Sequence, residues 1–233
     1  MEFDNILKTA FTLIWELDPA LIEIVVLSLK VSLSAVVIAS LIALPVGSIL
    51  AIKVFPTRNL WVNILNAFMG LPPVVAGLFV YLMLSRSGPL GPLNLLYTPV
   101  AMIIAQVVLI FPIIAALVYQ AIKDLWLMHD EPLRSLGSSS FTSARTLLWE
   151  GRFSLMTAIL AGFGRGNAEV GAVLIVGGNI NHATRVMTTT IAMEGSKGNF
   201  ALALSLGLIL ILISVVVVNV AHWVKKMAGE PVV

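Results

Sequence analysis

The stretch LIEIVVLSLKVSLSAVVIASLIALPVGSILAI, residues Leu21–Ile52, decides the fold class of this chain. A run of about 20 mostly apolar residues is enough for a helix to cross the hydrocarbon core of a bilayer. The run is longer than that, so we expect its helix to tilt or to extend past the membrane near Pro45 and Gly47. This stretch predicts a transmembrane helix.

Further apolar stretches follow along the chain. Four of them are long enough to cross a bilayer: Trp61–Leu84, Thr98–Ile122, Phe153–Val176 and Phe200–Val224. An earlier one, Ile6–Leu17, has only about 12 residues and contains Lys8 and Glu16, which is typical of a helix lying in the membrane interface. The first residues, Met1–Asp4, are acidic and lack the basic start of a cleaved signal peptide.

The composition agrees with a membrane location. Of 233 residues, 59% are hydrophobic and 11% are charged, against roughly 45–50% and 25% in soluble domains. The absence of cysteine excludes a disulfide-stapled secreted module. A net charge of +2 with scattered basic residues argues against a nucleic-acid partner. We predict an all-α membrane protein with an interfacial segment at 1–20, a five-span transmembrane domain at 21–224 and a tail at 225–233.

Lysine and arginine positions predict the orientation in the membrane. With the N-terminus outside, the cytoplasmic segments hold eight of them: Lys53, Arg58, Lys123, Arg134, Arg145, Arg152, Lys225 and Lys226. The outer segments hold four: Lys8, Arg86, Arg185 and Lys197. Because cytoplasmic loops carry the excess of basic residues, we expect the N-terminus outside and the C-terminus in the cytoplasm.

The longest polar segment, residues 124–152, has helix signals of its own. Asp130 is suited to cap a short helix, and Gly137 is suited to end it. The hydroxyls of Ser138–Ser140 are suited to cap a second helix over Phe141–Trp149. Two short helices joined at a glycine form either a rigid projection that docks on a soluble partner or simply a helical connection, and the residues alone leave both open.

The run Glu131-Pro132-Leu133-Arg134-Ser135-Leu136-Gly137, followed by Phe141, resembles the "EAA…G" loop of ABC-importer membrane subunits. In that family the loop forms the coupling helix that sits on the ATPase subunit. The resemblance implies this role for Glu131, Arg134, Gly137 and Phe141. Two departures stand out: Pro132-Leu133 replaces the two alanines, and Glu150 replaces the proline that usually closes the motif.

Motifs elsewhere extend the resemblance from about Leu21 to Val224. They are GLPPVVAG at 70–77, LSRSGPLG at 84–91, MIIAQ at 102–106, EVGA at 169–172, VGGNI at 176–180, TRVMTT at 184–189 and the Lys197-Gly198 pair. Together they resemble the permeases of tungstate importers, with molybdate permeases as relatives. The resemblance implies a homodimer in membrane lipid, separate ATPase subunits, an extracytoplasmic substrate-binding protein and no cofactor of its own.

Polar residues within the fourth span are candidates for the substrate pathway. Arg165, Asn167 and Glu169 would each be costly in lipid and require partners or a water-filled cavity. Arg165 and Glu169 are four residues apart, so on one helix they could pair on the same face. Such a pair either neutralises itself inside the bundle or lines the route, where Arg165 would attract a dianion and Glu169 would tune or gate its passage.

The outer segment, residues 177–199, is rich in hydrogen-bonding groups. An oxyanion presents only acceptors, so hydroxyl, amide and guanidinium donors suit its passage. The candidates are Asn179, Thr184, Arg185 and Thr188. The alternative is a solvated re-entrant or interfacial loop.

Other chemistry has weaker support. Gly162, Gly164 and Gly166 lie in an apolar span, where they favour close helix packing and a bend over a phosphate-binding loop. His129, His182 and His222 have no metal-ligand spacing. We therefore predict a transporter subunit without ATP hydrolysis of its own, for tungstate or else for molybdate or sulfate. An intramembrane enzyme that uses Glu169 or His182 and a passive channel are the alternatives.

Overall fold

The computed structural model describes residues 2–16, 18–135 and 137–227. Within these ranges the regular elements are all helical, as the sequence predicts. A 3-10 turn lies at Gly91–Leu93, and the α-helices are α1 (Glu2–Trp15), α2 (Pro19–Ile52), α3 (Arg58–Met69), α4 (Pro73–Leu84), α5 (Pro99–Ser135), α6 (Ser140–Glu150), α7 (Arg152–Asn167), α8 (Gly171–Gly177), α9 (Met187–Ser196) and α10 (Phe200–Met227).

Three of these helices are long and apolar enough to cross a membrane, namely α2, α5 and α10. The number rises to as many as five when the interrupted pairs α3–α4 and α7–α8 are each counted as one span. The 34 residues of α2 correspond to a helix about 50 Å long, well beyond the hydrocarbon thickness. The predicted all-α membrane fold is confirmed, and α2 continues without a break through Pro45.

The predicted second span is not one continuous helix. It is divided at Pro72-Pro73, since α3 ends at Met69 and α4 begins afresh at Pro73. Pro72 has extended backbone angles, φ −62° and ψ 127°. A proline disfavours helical geometry in the residue before it and lacks a backbone N–H, so two prolines in succession end one helix and start the next.

The predicted fourth span is interrupted as well, between Asn167 and Gly171. Because α7 ends at Asn167, the expectation that Arg165 and Glu169 share one face of a continuous helix is wrong. The side chain of Glu169 accepts the backbone N–H of Ala172 at 3.1 Å. A side-chain oxygen here takes the place of the carbonyl that an unbroken helix would supply.

The start predicted for the first loop helix is also wrong. Asp130 does not begin a new helix, since α5 runs without interruption from Pro99 to Ser135. Neither glycine nor proline occurs between Ile122 and Asp130, so nothing there stops the helix, and Pro132 lies within its last turn. The predicted second helix is confirmed as α6.

The described elements form two compact units, and the chain passes between them several times. One unit comprises described residues within 1–34, 72–106 and 166–233. A cluster of Leu21, Ile24, Met187 and Leu206 forms part of its core. The hydroxyl of Ser205 in α10 is shared between the carbonyls of Ala201 at 2.7 Å and Ala10 at 3.2 Å, and the second contact links α10 to α1 within this unit.

The other unit comprises residues 35–71 and 107–165. Glycine permits two close approaches in it. A Cβ atom on Gly47 of α2 would lie 2.8 Å from the carbonyl oxygen of Ala115, and one on Gly162 of α7 would lie 2.6 Å from Ile114 Cδ1. The close packing expected at Gly162 is confirmed, whereas Gly164 has no neighbour within 4 Å of such an atom.

These two glycines of α7 give a matched pair of substitutions. Gly162→Ala is expected to lower the free energy of unfolding by about 1–3 kcal/mol, because the added methyl group overpacks against Ile110 and Ile114. Gly164→Ala should be neutral or stabilising by up to about 1 kcal/mol, since alanine favours a helix and here has room. Unfolding in detergent measures both, and equal losses in the two variants would contradict the packing explanation.

Candidate functional site

The segment 124–152, which we call the elbow, consists of the end of α5, a turn and α6. Gly137 forms the turn with φ +66°, and Ser138 N–H donates to the carbonyl of Leu133 at 3.0 Å. This bond is typical of a helix that ends in a left-handed glycine. Ser139 Oγ then accepts the N–H of Thr142 at 3.2 Å and caps α6. The predicted break at Gly137 and serine cap are confirmed.

Contacts within the elbow fix α6 against the end of α5. His129 Nε2 lies 3.1 Å from Glu150 Oε1, and His129 Nδ1 lies 2.9 Å from the carbonyl of Leu125. Leu147 of α6 is fully buried. Glu150, which departs from the usual motif, thus contacts the other helix of the elbow.

The elbow also exposes large side chains. Glu131 is exposed, and Phe141 is 80% exposed. The backbone of Arg134 lies in α5, but its side chain is outside the part that the structure describes. Leu127 and Met128, which sequence reasoning missed, are more than 70% exposed. Exposed apolar side chains on a polar loop are typical of a surface that meets another protein.

The interruption between α7 and α8 is held by hydrogen bonds from distant helices. Asn167 is buried and donates from Nδ2 to Ser214 Oγ at 3.4 Å. Glu169 is buried too, and its carbonyl accepts Thr188 Oγ1 at 2.7 Å. Arg165 lies in α7 and is half-buried. Three predicted pathway residues, Asn167, Glu169 and Thr188, therefore lie in the structure around this interruption.

Gln106 is part of the same region, although the sequence suggested no site role for it. Its Nε2 donates to the carbonyl of Gly166 at 3.1 Å, just before the interruption. Its buried Oε1 has no hydrogen-bond partner among the described residues. A lone amide in an apolar helix is the signal that could have identified it, because such a group must find a partner.

The polar segment at residues 177–199 contains regular structure and is not simply a loop. Residues 187–196 form α9, and Thr184 is buried, donating to the carbonyl of Gly177 and accepting from Ile180 N–H at 3.0 Å. Asn179, with φ +50°, accepts Thr189 Oγ1 at 2.9 Å. These side chains satisfy the backbone and one another, as buried polar groups must.

Three charged residues in or next to α9 complete this region: Arg185, Glu194 and Lys197. Glu194 accepts hydrogen bonds from Asn199 at 2.9 Å and Lys197 at 3.1 Å. These bonds, followed by the attraction of Lys197 and Arg185, lower the pKa of the Glu194 carboxyl below its ordinary value. Arg185 is half-buried, and its Nε is enclosed without a hydrogen-bond partner in the described part of the chain.

Sequence comparison identifies relatives over most of the chain. A tungstate uptake system permease protein of Peptoclostridium acidaminophilum is 39% identical over 197 residues, which cover 84% of this chain and 86% of that protein. A permease of the same description from Campylobacter jejuni is 35% identical, covering 83% and 81%. A probable anion ABC transporter permease protein of Haloferax volcanii is 38% identical, covering 77% and 79%. No protein-family model matches.

The chain belongs to the ABC-transporter permeases. The relatives confirm the family that the motifs indicated. They also confirm the prediction that this chain is a transporter subunit and not an intramembrane enzyme. The helices and the relatives together establish a multi-pass membrane permease.

Proposed function

We propose that this permease carries tungstate into the cytoplasm as the membrane subunit of an ABC importer. The observation that carries the proposal is the similarity, at 39% and 35% identity, to two permeases named for tungstate uptake. Molybdate and sulfate are the alternative cargoes, because both are tetrahedral dianions with similar oxygens. The N-terminus lies outside and the C-terminus inside in this proposal, following the basic residues.

In this proposal, partner proteins supply ATP hydrolysis and the capture of the anion. Two ATPase subunits bind the elbows of a homodimer through Glu131, Arg134, Gly137 and Phe141, and an extracytoplasmic binding protein delivers the anion. The exposure of Glu131 and Phe141 supports this role. Closure of the ATPase pair moves the elbows, and the packed helices of each permease transmit that motion as an alternation between outward- and inward-open states.

The proposed pathway comprises Arg165, Asn167, Glu169, Asn179, Thr184, Arg185 and Thr188. Arg165 and Arg185 supply positive charge for a dianion, since guanidinium groups bind oxyanions through charge-assisted hydrogen bonds. Thr184 holds the backbone of this region, and Asn167 and Asn179 bind the hydroxyls of Ser214 and Thr189. Glu169 weakens the attraction so that the anion is able to leave, as conduction requires.

Uptake by reconstituted vesicles tests the proposal. The permease, its ATPase subunits and its binding protein are expected to accumulate tungstate only when ATP is present, with less uptake of molybdate and sulfate. Omitting the binding protein or ATP provides the control. ATP-independent flux would indicate a channel, and transport of none of the three anions would reject the oxyanion assignment.

A further inference from the structure

A groove of about 1050 Å³ lies between the last turns of α2 and the length of α6. Its α2 wall includes Ile49 and Ile52, and its α6 wall includes Leu148 and Trp149. Ile49 is 47% exposed and Trp149 is 74% exposed. The walls are therefore largely hydrophobic, and a hydrophobic surface of this size is stabilised when it is covered.

Two positive charges lie in the same groove. Lys53 follows the end of α2, and Arg145 lies on α6; both line the groove and both are exposed. No Asp or Glu is among the lining residues in the described part of the chain. Neither cation forms an ion pair or hydrogen bond with another described residue. The charge of the groove is thus complementary to an anion.

The groove lies where the apolar run of α2 gives way to a basic residue. The apolar helix α2, one of the three long enough to span a bilayer, ends at Ile52, and Lys53 is the next residue. Ile49 and Ile52 lie on the last turn of α2, just before Lys53. A tryptophan and basic side chains at this level are typical of the headgroup region.

We propose that this groove binds an anionic phospholipid. Its phosphate lies between Lys53 and Arg145, and its acyl chains cover Ile49, Ile52, Leu148 and Trp149. Tungstate could bind between the two cations, but it has no apolar part to cover the walls. An anionic phospholipid has both parts: its phosphate meets the basic side chains and its acyl chains meet the apolar walls. The bound lipid would join α6 of the elbow to the end of α2, so that membrane composition affects the elbow.

Native mass spectrometry of the full chain, both alone and in its assembled transporter, tests the proposal with phosphatidylglycerol and phosphatidylcholine as probes. We expect phosphatidylglycerol to be retained in preference to phosphatidylcholine. The double variant K53Q/R145Q should retain phosphatidylglycerol about thirtyfold less well, because each basic residue at an anionic surface contributes roughly a fivefold factor.

The matched control is K225Q/K226Q, which removes two positive charges from the end of another long apolar helix, α10. This variant should retain phosphatidylglycerol like the unchanged chain. Equal losses in the two double variants, or equal retention of both lipids, would overturn the proposal. So would loss of the bound lipid on assembly, since a second copy or the ATPase would then be the occupant of the groove.

Discussion

Deletion of residues 131–137 is expected to abolish both co-purification of the ATPase subunits and ATP-driven uptake. The deletion removes the last turn of α5 and the turn at Gly137, so that α6 loses its place beside His129. The helices α2 and α10 and the apolar part of α5 are unchanged, and the permease should still insert in the membrane. Affinity purification with a tagged ATPase measures the loss, and an intact complex would contradict the coupling role.

Single substitutions at Gly137 test whether ATPase binding depends on the geometry of the turn, whereas the deletion tests whether it depends on the segment at all. A Cβ atom there meets nothing within 4 Å, but φ is +66°. A left-handed conformation costs most residues about 1–2 kcal/mol, whereas asparagine adopts it more readily. Gly137→Val should therefore weaken ATPase association about five- to thirtyfold, and Gly137→Asn should weaken it much less. Equal effects would show that the turn geometry is unimportant.

Local sequence signals predicted the helices well. Apolar runs located α2 and α10, and the glycine and serines of the elbow predicted the turn and the start of α6 because capping depends on neighbouring residues. The interruptions were less predictable. Two prolines at 72–73 disturb a helix, but whether the helix bends or ends there depends on partners elsewhere in the fold.

The candidate site was harder to predict, because its contacts join distant parts of the chain. Arg165 and Glu169 were placed on one helix, a conclusion that depended on continuity through Asn167. The bonds that support the interruption come from Thr188 to Glu169 and from Gln106 to Gly166. Hydrophobic periodicity reports which face of a helix is buried, but it does not report which distant side chain will donate to a free carbonyl.

Substitution of Glu169 is expected to cause the second large loss of transport. Glu169→Ala removes the acceptor for Ala172 N–H in a site where Glu169 is only 4% exposed. An unsatisfied buried group costs about 1–3 kcal/mol, so we expect lower thermal stability and a loss of tungstate uptake of roughly tenfold or more. Thermal unfolding in detergent and vesicle uptake measure the two effects.

Glu169→Gln distinguishes the hydrogen bond from the charge. The amide oxygen is still able to accept from Ala172 N–H, so stability should change little. The negative charge that offsets Arg165 and Arg185 in the proposed pathway is lost, and a dianion would then leave the pathway more slowly. We expect uptake to fall while the thermal stability is retained. Normal uptake in this variant would mean that Glu169 acts only as a helix cap.

Ser205→Ala is the control for the Glu169 variants, because it should lower stability without changing a charge in the proposed pathway. Ser205→Ala removes the bond from α10 to the carbonyl of Ala10, where Ser205 is fully buried. It should cost about 1 kcal/mol and leave the charges of the pathway unchanged. If Ser205→Ala is destabilised and still transports while Glu169→Gln is stable and does not, the transport defect arises from charge. If uptake follows stability in every variant, the carboxylate has only a structural role.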